Sequence, residues 1–404
     1  MQNIDTSRIQ NMMKILGSGD VGVFTDVLRR LAGSVPTSIQ CEKYMANSRE
    51  WYVFESPSWK VVVDEDDSYH FFFDKRDGFT LRFGKTVDDD PDCCELGPEI
   101  LDFEIVAGKC PKINGRNCAF CYKNNGGDTA RCTTFDQFKH VFHLFPKNLT
   151  QIAFGITGYY TNPDYGRMLE YAREHGVIPN YTTNGVDLDQ AAIEHTLDCC
   201  GRVAVSCYEG AKEICYKTIK AFGDAASARN RKFPCNIHVV LSKGTFAHVM
   251  DVLKDAAEKK IENLGSVVIL RMKPVGRASV LDAQIPADYY RQIVRFCLDN
   301  HVSFGFDSCG AKSVAKVLEE FGRSELISSV EPCESTRMSF YVACDGKATP
   351  CSFCEKKLAE SAIDMFKIST HEEFIHTWNI NPMLSNFRKN CINCDHSCQM
   401  FELD

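Results

Sequence analysis

Residues Lys109-Cys-Pro-Lys-Ile-Asn-Gly-Arg-Asn-Cys-Ala-Phe-Cys-Tyr122 directly follow the strand-like run 105–107. Within this stretch Cys110, Cys118 and Cys121 have the spacing C-x7-C-x2-C, which places three thiolates in one loop. Three sulfur ligands suit a [4Fe-4S] cluster whose fourth iron stays open to a ligand other than protein, because cysteine sulfur is the usual cluster ligand. A zinc knuckle with a remote fourth ligand would use the same residues. The spacing alone leaves both kinds of site open.

The chain downstream predicts a strand, a helix and a second strand. Residues 151–157 have the composition of a strand, residues 165–175 have a helical pattern, and residues 177–182 form a second strand-like run. Turn-forming residues follow each strand, including Thr183-Asn184-Gly185 after the second one. The segment therefore predicts one strand–helix–strand unit.

Three more strand-like runs follow, at residues 202–206, 236–241 and 266–270. Strands that alternate with helices predict a parallel sheet, because parallel neighbours need a crossover between them. The carboxyl ends of such strands meet at one edge, where catalytic loops of these architectures lie. The cysteine loop, Thr157, Asn184 and Ser206 all fall at such ends. Each polar residue alone also fits an ordinary turn or cap, but together they predict one site.

These motifs resemble the radical S-adenosylmethionine (radical SAM) superfamily. The cluster loop of that family is usually C-x3-C-x2-C with an aromatic residue before the third cysteine, a place that Phe120 takes here. The family's Gly-Gly-Glu strand end corresponds to Thr157-Gly158-Tyr159, so the acidic residue is missing, and its Thr-Asn-Gly strand end is present at 183–185. Residues 274–278, Pro-Val-Gly-Arg-Ala, resemble the end of the sixth core strand of peptide-modifying members. The first cysteine gap is four residues longer than usual.

The resemblance implies a partial (β/α)6 barrel, an α/β fold, that binds a [4Fe-4S] cluster and S-adenosylmethionine. By family analogy Phe120 lies near the adenine, Thr157 and Gly158 near the methionyl group, and Asn184 and Ser206 near the ribose and carboxylate. The implied reaction is one-electron cleavage of the sulfonium to a 5′-deoxyadenosyl radical, which takes a hydrogen atom from a peptide or small-metabolite substrate. A reducing electron donor such as flavodoxin or ferredoxin is the expected partner.

The C-terminal hundred residues contain a second set of cysteines. Cys333 and Cys351 form C-x12-G-x4-C around Gly346, and Cys391 and Cys394 form C-x2-C. The pattern resembles the auxiliary-cluster extension of radical SAM maturases called SPASM, and above all its shortened "twitch" form. The preferred interpretation is one auxiliary [4Fe-4S] cluster on these four cysteines, which aids an oxidation or cross-link or holds the extension in place.

Two other arrangements use the same region. In the first, the pairs Cys351/Cys354 and Cys391/Cys394 bind a structural zinc ion, which two C-x2-C pairs can do without another ligand. In the second, additional ligands complete a second auxiliary cluster; the candidates are Cys309, Cys344, Cys354 and Cys398.

The first hundred residues predict a different kind of structure. After a helical N-terminus, aromatic runs at 51–54, 59–63, 69–73 and 79–83 are separated by turns rich in Asp and Gly, as in an antiparallel meander. We therefore divide the chain into a β-rich appendage at 1–98, a radical SAM core at 99–305 and a cysteine-rich iron–sulfur extension at 306–404.

Composition favours metal binding and limits the partners. The 404 residues include 21 cysteines, and the polar first residues do not resemble a secretory signal, so we expect a cytoplasmic protein with metal-bound thiols rather than disulfides. No apolar run suits a membrane span, and the net charge of −8 disfavours a nucleic-acid polymer. The rival hypotheses are a degenerate iron–sulfur redox sensor that does not cleave S-adenosylmethionine, and a zinc-stabilised binding protein.

Overall fold

The computed structural model describes residues 7–17, 30–31, 39–278, 280–393 and 400. Its first part is a helix and a five-stranded antiparallel meander in the order β1-β2-β3-β4-β5. The elements are α1 (Ser7–Gly17), β1 (Gln40–Ala46), β2 (Arg49–Glu55), β3 (Trp59–Asp64), β4 (His70–Asp74) and β5 (Thr80–Phe83). The aromatic runs correspond to β2–β5, whereas β1 carries no aromatic run and was not predicted.

The turns and faces of this sheet explain its sequence. Asn47 and Ser48 join β1 to β2 with φ angles of 47° and 63°, a pair of left-handed residues that matches the twist of a two-residue hairpin. On one face Trp59 and Val61 pack with side chains of α1, and on the other Val62 packs against the rest of the protein. Both faces of β3 are therefore buried.

The remaining strands form a ten-stranded sheet and a two-stranded hairpin. They are β6 (Ile100–Glu104), β7 (Val106–Gly108), β8 (Ala130–Cys132), β9 (Gln151–Gly155), β10 (Ile178–Thr183), β11 (Arg202–Ser206), β12 (Cys235–Leu241), β13 (Leu264–Arg271), β14 (Phe304–Phe306), β15 (Ser339–Val342), β16 (Lys347–Thr349) and β17 (Ile363–Asp364). The large sheet has the order β14-β13-β12-β11-β10-β9-β6-β15-β16-β17, and β7 pairs with β8.

Helices alternate with these strands. They are α2 (Phe135–Leu144), α3 (Tyr165–Glu174), α4 (Gln190–Cys199), α5 (Lys212–Ala228), α6 (Phe246–Ala257), α7 (Val280–Ala283), α8 (Ala287–Asp299), α9 (Ala311–Glu320), α10 (His371–Ile380) and α11 (Pro382–Asn393), with short 3-10 turns at Ser308–Gly310, Ser324–Ser329, Ala359–Ser361 and Met365–Lys367.

Every neighbouring pair from β6 through β14 is parallel, so the predicted α/β fold with a parallel sheet is confirmed. Alternate strand residues such as Phe154, Val205 and Ile237 are buried in the core that the sheet shares with the helices. The ladder ends at β14 on one side and at β17 on the other. The described residues therefore form an open sheet, and closure into a barrel stays a prediction.

The structure differs from the predicted strand at residues 105–107. The first strand of the large sheet is β6, and most of the predicted run belongs to β7, which pairs with β8 in a separate hairpin. The cysteine loop is therefore enclosed within a hairpin and does not follow a strand of the large sheet directly. The apolar run could not distinguish these cases, because β6 and β7 are separated by Ile105 alone.

The C-terminal part of the chain extends the same sheet. Strand β15 lies parallel to β6, with Ser339 opposite Ile100 and Val342 opposite Phe103. Helix α10 is anchored by Trp378, whose Nε1 donates a 2.8 Å hydrogen bond to the carbonyl of Cys94. No helix among the residues that the structure describes is both long enough and apolar enough to span a bilayer.

Lys60 is a charged residue in the interface between the two sheets. Its side chain is 1% exposed, and Nζ donates a 2.7 Å hydrogen bond to the carbonyl of Leu149 and lies 3.8 Å from a carboxylate oxygen of Glu55. Burial lowers the pKa of Lys60 to about 8, although Glu55 acts in the opposite direction. The ammonium therefore destabilises the folded state at neutral pH.

We predict that Lys60→Met removes a pH dependence of stability. Between the folded pKa of about 8 and an ordinary lysine pKa of about 10.4, the unfolded chain binds more protons, so the wild type gains stability as pH rises. The advantage of Lys60→Met in free energy of unfolding should fall by about 3 kcal/mol between pH 7 and 10.5. Urea unfolding in reductant measures it, with the exposed Lys232→Met as control. An advantage of Lys60→Met that is the same at both pH values would contradict this account.

Candidate functional site

The cysteine loop is closed at its base by backbone contacts. In the β7–β8 hairpin Gly108 lies opposite Ala130, and its carbonyl accepts a 2.6 Å hydrogen bond from the amide of Gly126. Gly108 has a φ of +93°, and a Cβ there would lie 2.5 Å from the carbonyl oxygen of Thr129. Glycine is therefore needed where the loop leaves the strand.

The three cysteines of this loop lie near one another and are half-buried. The Cys110 thiol lies 3.6 Å from the carbonyl oxygen of Thr157 at the end of β9. Burial raises the pKa of Cys110 to about 11, and the charges of Cys118, Cys121 and Asp187 act in the same direction. Among the residues that the structure describes, no three Cys, His, Asp or Glu side chains are arranged to hold a metal ion. The loop thus brings the three predicted ligands together at the end of β9.

The end of β9 forms one wall of the site. Thr157 is buried, and its Oγ1 has no hydrogen-bond partner among the residues that the structure describes. A Cβ on Gly158 would lie 2.5 Å from Oδ2 of Asp187 and 2.8 Å from Cγ of Pro111. Only a residue without a side chain fits between the cysteine loop and the segment that follows β10. Asp187 was not predicted, because nothing in its sequence surroundings separates it from an ordinary loop aspartate.

Asn184 and Ser206 reach the same region from the next two strands. Nδ2 of Asn184 donates a 3.3 Å hydrogen bond to the carbonyl of Pro111 in the cysteine loop. The hydroxyl of Tyr208 lies within hydrogen-bonding reach of Ser206 and Cys118, and its ring centroid is 5.9 Å from that of Phe120. Phe120 belongs to the cysteine loop, and the other four residues predicted to bind S-adenosylmethionine lie around it. That they bind it stays a prediction.

A turn after β13 holds the loop from the other side. Gly276, with a φ of +70°, packs so closely on the carbonyls of Cys121 and Tyr122 that a Cβ would clash with both. The backbone amide of Arg277 donates to the carbonyl of Cys121 at 3.1 Å, and its Nε donates to that of Cys118 at 2.9 Å. Sequence reasoning identified this Pro-Val-Gly-Arg-Ala motif but assigned it no role.

The second set of cysteines lies in two adjacent pairs. The sulfurs of Cys351 and Cys354 are 3.3 Å apart, and the thiol of Cys333 lies within hydrogen-bonding reach of Cys391. Cys309 interacts electrostatically with both Cys333 and Cys351. Hydrogen bonding from a neighbouring thiol, and then burial, raise the pKa values of Cys333 and Cys351 well above the usual range.

Two of the predicted ligands, Cys394 and Cys398, lie outside the described residues. Cys344 does not lie with the others: its sulfur accepts a 3.3 Å hydrogen bond from Nε of Arg131. Of the additional ligand candidates, the structure therefore groups Cys309 and Cys354 with the preferred set and separates Cys344 from it.

The two cysteine regions are in direct contact. The ring centroid of Tyr122, next to Cys121, lies 4.6 Å from that of Phe353. Phe353 lies between Cys351 and Cys354 in the sequence. Lys123 forms an ion pair with Glu355 and another, at 3.0 Å, with Glu104 of β6. The extension thus packs directly on the cysteine loop.

Polar side chains lie on the face of the parallel sheet opposite the helix-packed core. Thr182 of β10 is 3.3 Å from Nδ1 of His238 on β12. Burial lowers the pKa of His238 to about 4 and raises that of Asp102 on β6 to about 6. At neutral pH this face therefore presents an uncharged imidazole.

A separate cavity of about 640 Å³, lined by Lys60, lies at the opposite ends of the strands.

Comparison with known proteins finds solved structures with a similar fold. No protein-family model matches the chain, and no curated protein matches its sequence. Among solved structures, Streptococcus suis SuiB bound to precursor peptide SuiA matches with a TM-score of 0.56 and 13% identity, over 72% of this chain and 67% of SuiB. SuiB bound to S-adenosylmethionine gives 0.54 and 13%, over 72% and 66%. The structure of anSMEcpe with AdoMet and a peptide gives 0.49 and 17%, over 76% and 87%.

The match spans about two thirds of SuiB. Because the sequence identity is low, the match shows a similar fold and says nothing about the reaction. The parallel α/β sheet of this architecture is the one that the alternation of strands and helices predicts. The chain has the fold of the radical SAM enzymes.

Proposed function

We propose that this protein is a radical SAM enzyme that modifies a peptide or a small metabolite. The observation that carries the proposal is the packing of the three-cysteine loop against the carboxyl ends of β9 and β10. There the Cys110 thiol meets the carbonyl of Thr157, and Asn184 binds the carbonyl of Pro111. The similarity to SuiB, which has been solved with S-adenosylmethionine and with a precursor peptide, supports the cofactor and favours a peptide as substrate.

The residues present fit the two groups that the proposal requires. Cys110, Cys118 and Cys121 supply three soft sulfur ligands, the chemistry that an iron–sulfur cluster needs. Oγ1 of Thr157 and Oδ1 of Asp187 are buried oxygens without hydrogen-bond partners in the described part of the chain, as expected where a polar ligand binds. When bound, the cluster and S-adenosylmethionine would supply a 5′-deoxyadenosyl radical by one-electron cleavage of the sulfonium.

The protein's own contribution is to bind and orient the substrate and to exclude water. The face that carries Asp102, Thr182 and His238 faces away from the helix-packed core and offers hydrogen-bonding groups, among them an uncharged imidazole. Such a lining suits a peptide backbone or a polyhydroxylated metabolite better than a phosphorylated one.

For the second set of cysteines we propose one auxiliary [4Fe-4S] cluster. Cys333, Cys351 and Cys391, together with Cys394, remain the preferred ligands, and Cys354 is a competing one because its sulfur lies 3.3 Å from that of Cys351. The contact between Tyr122 and Phe353 brings this region against the cysteine loop. That proximity suits removal of an electron from a substrate radical, which would make the net reaction an oxidation or a cross-link.

The first prediction concerns Cys118. Anaerobically reconstituted wild type should contain about eight irons per chain and should form 5′-deoxyadenosine with dithionite. Cys118→Ala should lose about four irons and all 5′-deoxyadenosine formation, because two cysteines do not retain the cluster. The control is Cys41→Ala, which changes a half-buried cysteine in β1, outside both sets. Iron without any 5′-deoxyadenosine in the wild type would favour the redox sensor, and zinc without iron would favour the binding protein.

The second prediction separates the two clusters. Cys351→Ala should lower iron by about four per chain but should leave reductive formation of 5′-deoxyadenosine detectable, because its sulfur lies in the other set. Iron and zinc analysis with an S-adenosylmethionine turnover assay measures both effects. A variant that loses zinc and keeps all its iron would show that this set is a structural zinc site.

The third prediction concerns Arg277, which we regard as a positioning residue. Arg277→Gln removes the guanidinium hydrogen bonds to the carbonyls of Cys118 and Asn125, each of about 1 kcal/mol. Iron of the first cluster should then be lost to a chelator about three- to tenfold faster. Arg323→Gln, which breaks an exposed ion pair with Glu325, is the matched control. Equal rates of iron loss in the two variants would show that the turn does not stabilise the loop.

A further inference from the structure

Two consecutive tyrosines lead away from the candidate site in the segment after β9. Tyr159 directly follows Gly158, which packs closely on Pro111 of the cysteine loop. The backbone amides of Tyr159 and Tyr160 lie within hydrogen-bonding reach of the carboxylate of Asp187. Tyr159 is 5% exposed, whereas Tyr160 is 55% exposed. The pair therefore extends from the edge of the site to the protein surface.

Each hydroxyl of this tyrosine pair has a proton acceptor of its own. The Tyr159 hydroxyl lies 2.9 Å from Nδ1 of His195 on α4, and Nε2 of the same ring lies 3.1 Å from a carboxylate oxygen of Glu170 on α3. Because an ionised carboxylate only accepts hydrogen bonds, Nε2 of the neutral imidazole carries the proton and Nδ1 accepts from Tyr159. The Tyr160 hydroxyl donates a 2.6 Å hydrogen bond to Oδ1 of Asp189.

The two rings are in direct contact. Their centroids are 5.1 Å apart in an edge-to-face arrangement, and the Tyr159 ring also lies 5.3 Å from that of Tyr165, which is buried at the start of α3. Packing alone explains the ring contacts, and an acceptor of any kind would satisfy each hydroxyl. Here both acceptors, an imidazole and a carboxylate, are groups that can take up a proton.

A base at each hydroxyl is what one-electron oxidation of a phenol requires. Burial raises the pKa of Tyr159, and the hydrogen bond to Asp189 raises the pKa of Tyr160 to about 12, so both phenols are protonated at neutral pH. Loss of one electron makes a phenol strongly acidic, so the electron leaves readily only where a base takes the proton. Only a strong oxidant, such as an organic radical, removes that electron. The pair is therefore suited to carry an oxidising equivalent outward and unsuited to bring in the electrons that reduce an iron–sulfur cluster.

We propose that Tyr159 and Tyr160 form a redox relay that conducts oxidising equivalents from the radical site to a reductant in solvent. The inference rests on the proposed function, which supplies the radical. Tyr159 gives one electron to a carbon radical that has not reacted with substrate, and that carbon takes a proton from solvent to form a C–H bond. The O–H bond of Tyr159 breaks, and its proton moves to Nδ1 of His195.

The second step carries the oxidising equivalent to the surface. Tyr160 gives one electron to the Tyr159 phenoxyl radical, which regains its proton from His195, and the proton of Tyr160 moves to Asp189. A soluble thiolate then gives one electron to Tyr160 and becomes a thiyl radical, while Asp189 returns the proton. The relay thus ends with both tyrosines restored and the oxidising equivalent outside the protein.

The first test looks for the tyrosyl radical and requires no turnover. Reconstituted protein, freed of dithionite, is oxidised by a laser flash with a ruthenium tris-bipyridine sensitiser and persulfate, frozen, and examined by electron paramagnetic resonance. The variants are Tyr159→Phe, Tyr160→Phe and His195→Gln. Tyr289→Phe is the matched control, because it removes the same hydroxyl from a ring that stacks on Phe246, outside the pair. Iron content and circular dichroism establish that each variant is folded and loaded.

We expect the wild type and Tyr289→Phe to give the same tyrosyl signal and Tyr159→Phe to lose part of it. Tyr160→Phe should lose the same part, because the oxidant in solvent reaches buried Tyr159 through Tyr160. His195→Gln should lose it as well, since an amide does not take up the phenol proton. A signal of Tyr159→Phe or of His195→Gln equal to that of Tyr289→Phe overturns the proposal.

The second test connects the relay to the site. Loaded enzyme is incubated with S-adenosylmethionine and dithionite but no substrate, and covalent oxidation of the peptides that contain the cysteine loop is measured by mass spectrometry. We expect Tyr159→Phe to accumulate modified peptides that the wild type and Tyr289→Phe lack. Equal modification in all three proteins overturns the outward relay.

The two tests keep this proposal distinct from the proposed function. Wild type that forms no 5′-deoxyadenosine but gives the Tyr159 signal overturns the proposed function and supports the redox pair. Wild type that forms 5′-deoxyadenosine without that signal overturns only the relay.

Discussion

The parallel direction of the strands of the large sheet between β6 and β14 is the constraint on which the rest of this structure depends. Because consecutive strands are neighbours and all run the same way, the loops after β9, β10, β11 and β13 emerge at one edge of the sheet. The cysteine loop contains no helix and only isolated bridges, so it cannot define its own shape. Its conformation is set by contacts with side chains and carbonyls that lie at that edge of the sheet.

The contacts that hold the loop come from different parts of the chain. Thr157 and Asn184 reach it from β9 and β10, and Arg277 reaches it after β13. Most of these contacts involve backbone carbonyls rather than the cysteine sulfurs. The arrangement leaves the sulfurs available to a ligand while it fixes the backbone that carries them, which is what a preorganised site requires.

The sequence predicted the elements of this site better than their contacts. A cysteine triplet, a strand ending in Thr183-Asn184-Gly185 and the alternation of strands and helices are local patterns, and each of them corresponds to what the structure contains. Asp187 and Lys123 could not be identified in this way. Their contacts are with Gly158 and with Glu355, which the fold brings near and which are distant in sequence. The pairing of β15 with β6 was missed for the same reason, since registry between remote strands leaves no local signal.

The buried charges near Lys123 explain why the extension and the core are joined at this point. Glu104 lies on β6 next to the strand of the extension, and it would be an unpaired buried carboxylate without Lys123 at 3.0 Å and the hydroxyl of Tyr341 at 3.0 Å. Lys123 belongs to the cysteine loop and Tyr341 to β15, so satisfying this one carboxylate requires both segments to be in place. Removal of the extension would leave Glu104 without the hydroxyl of Tyr341 and Lys123 without Glu355. The loop would also lose the contact between Tyr122 and Phe353. The extension therefore supports the geometry of the first cysteine site through electrostatics and packing, whatever it binds itself.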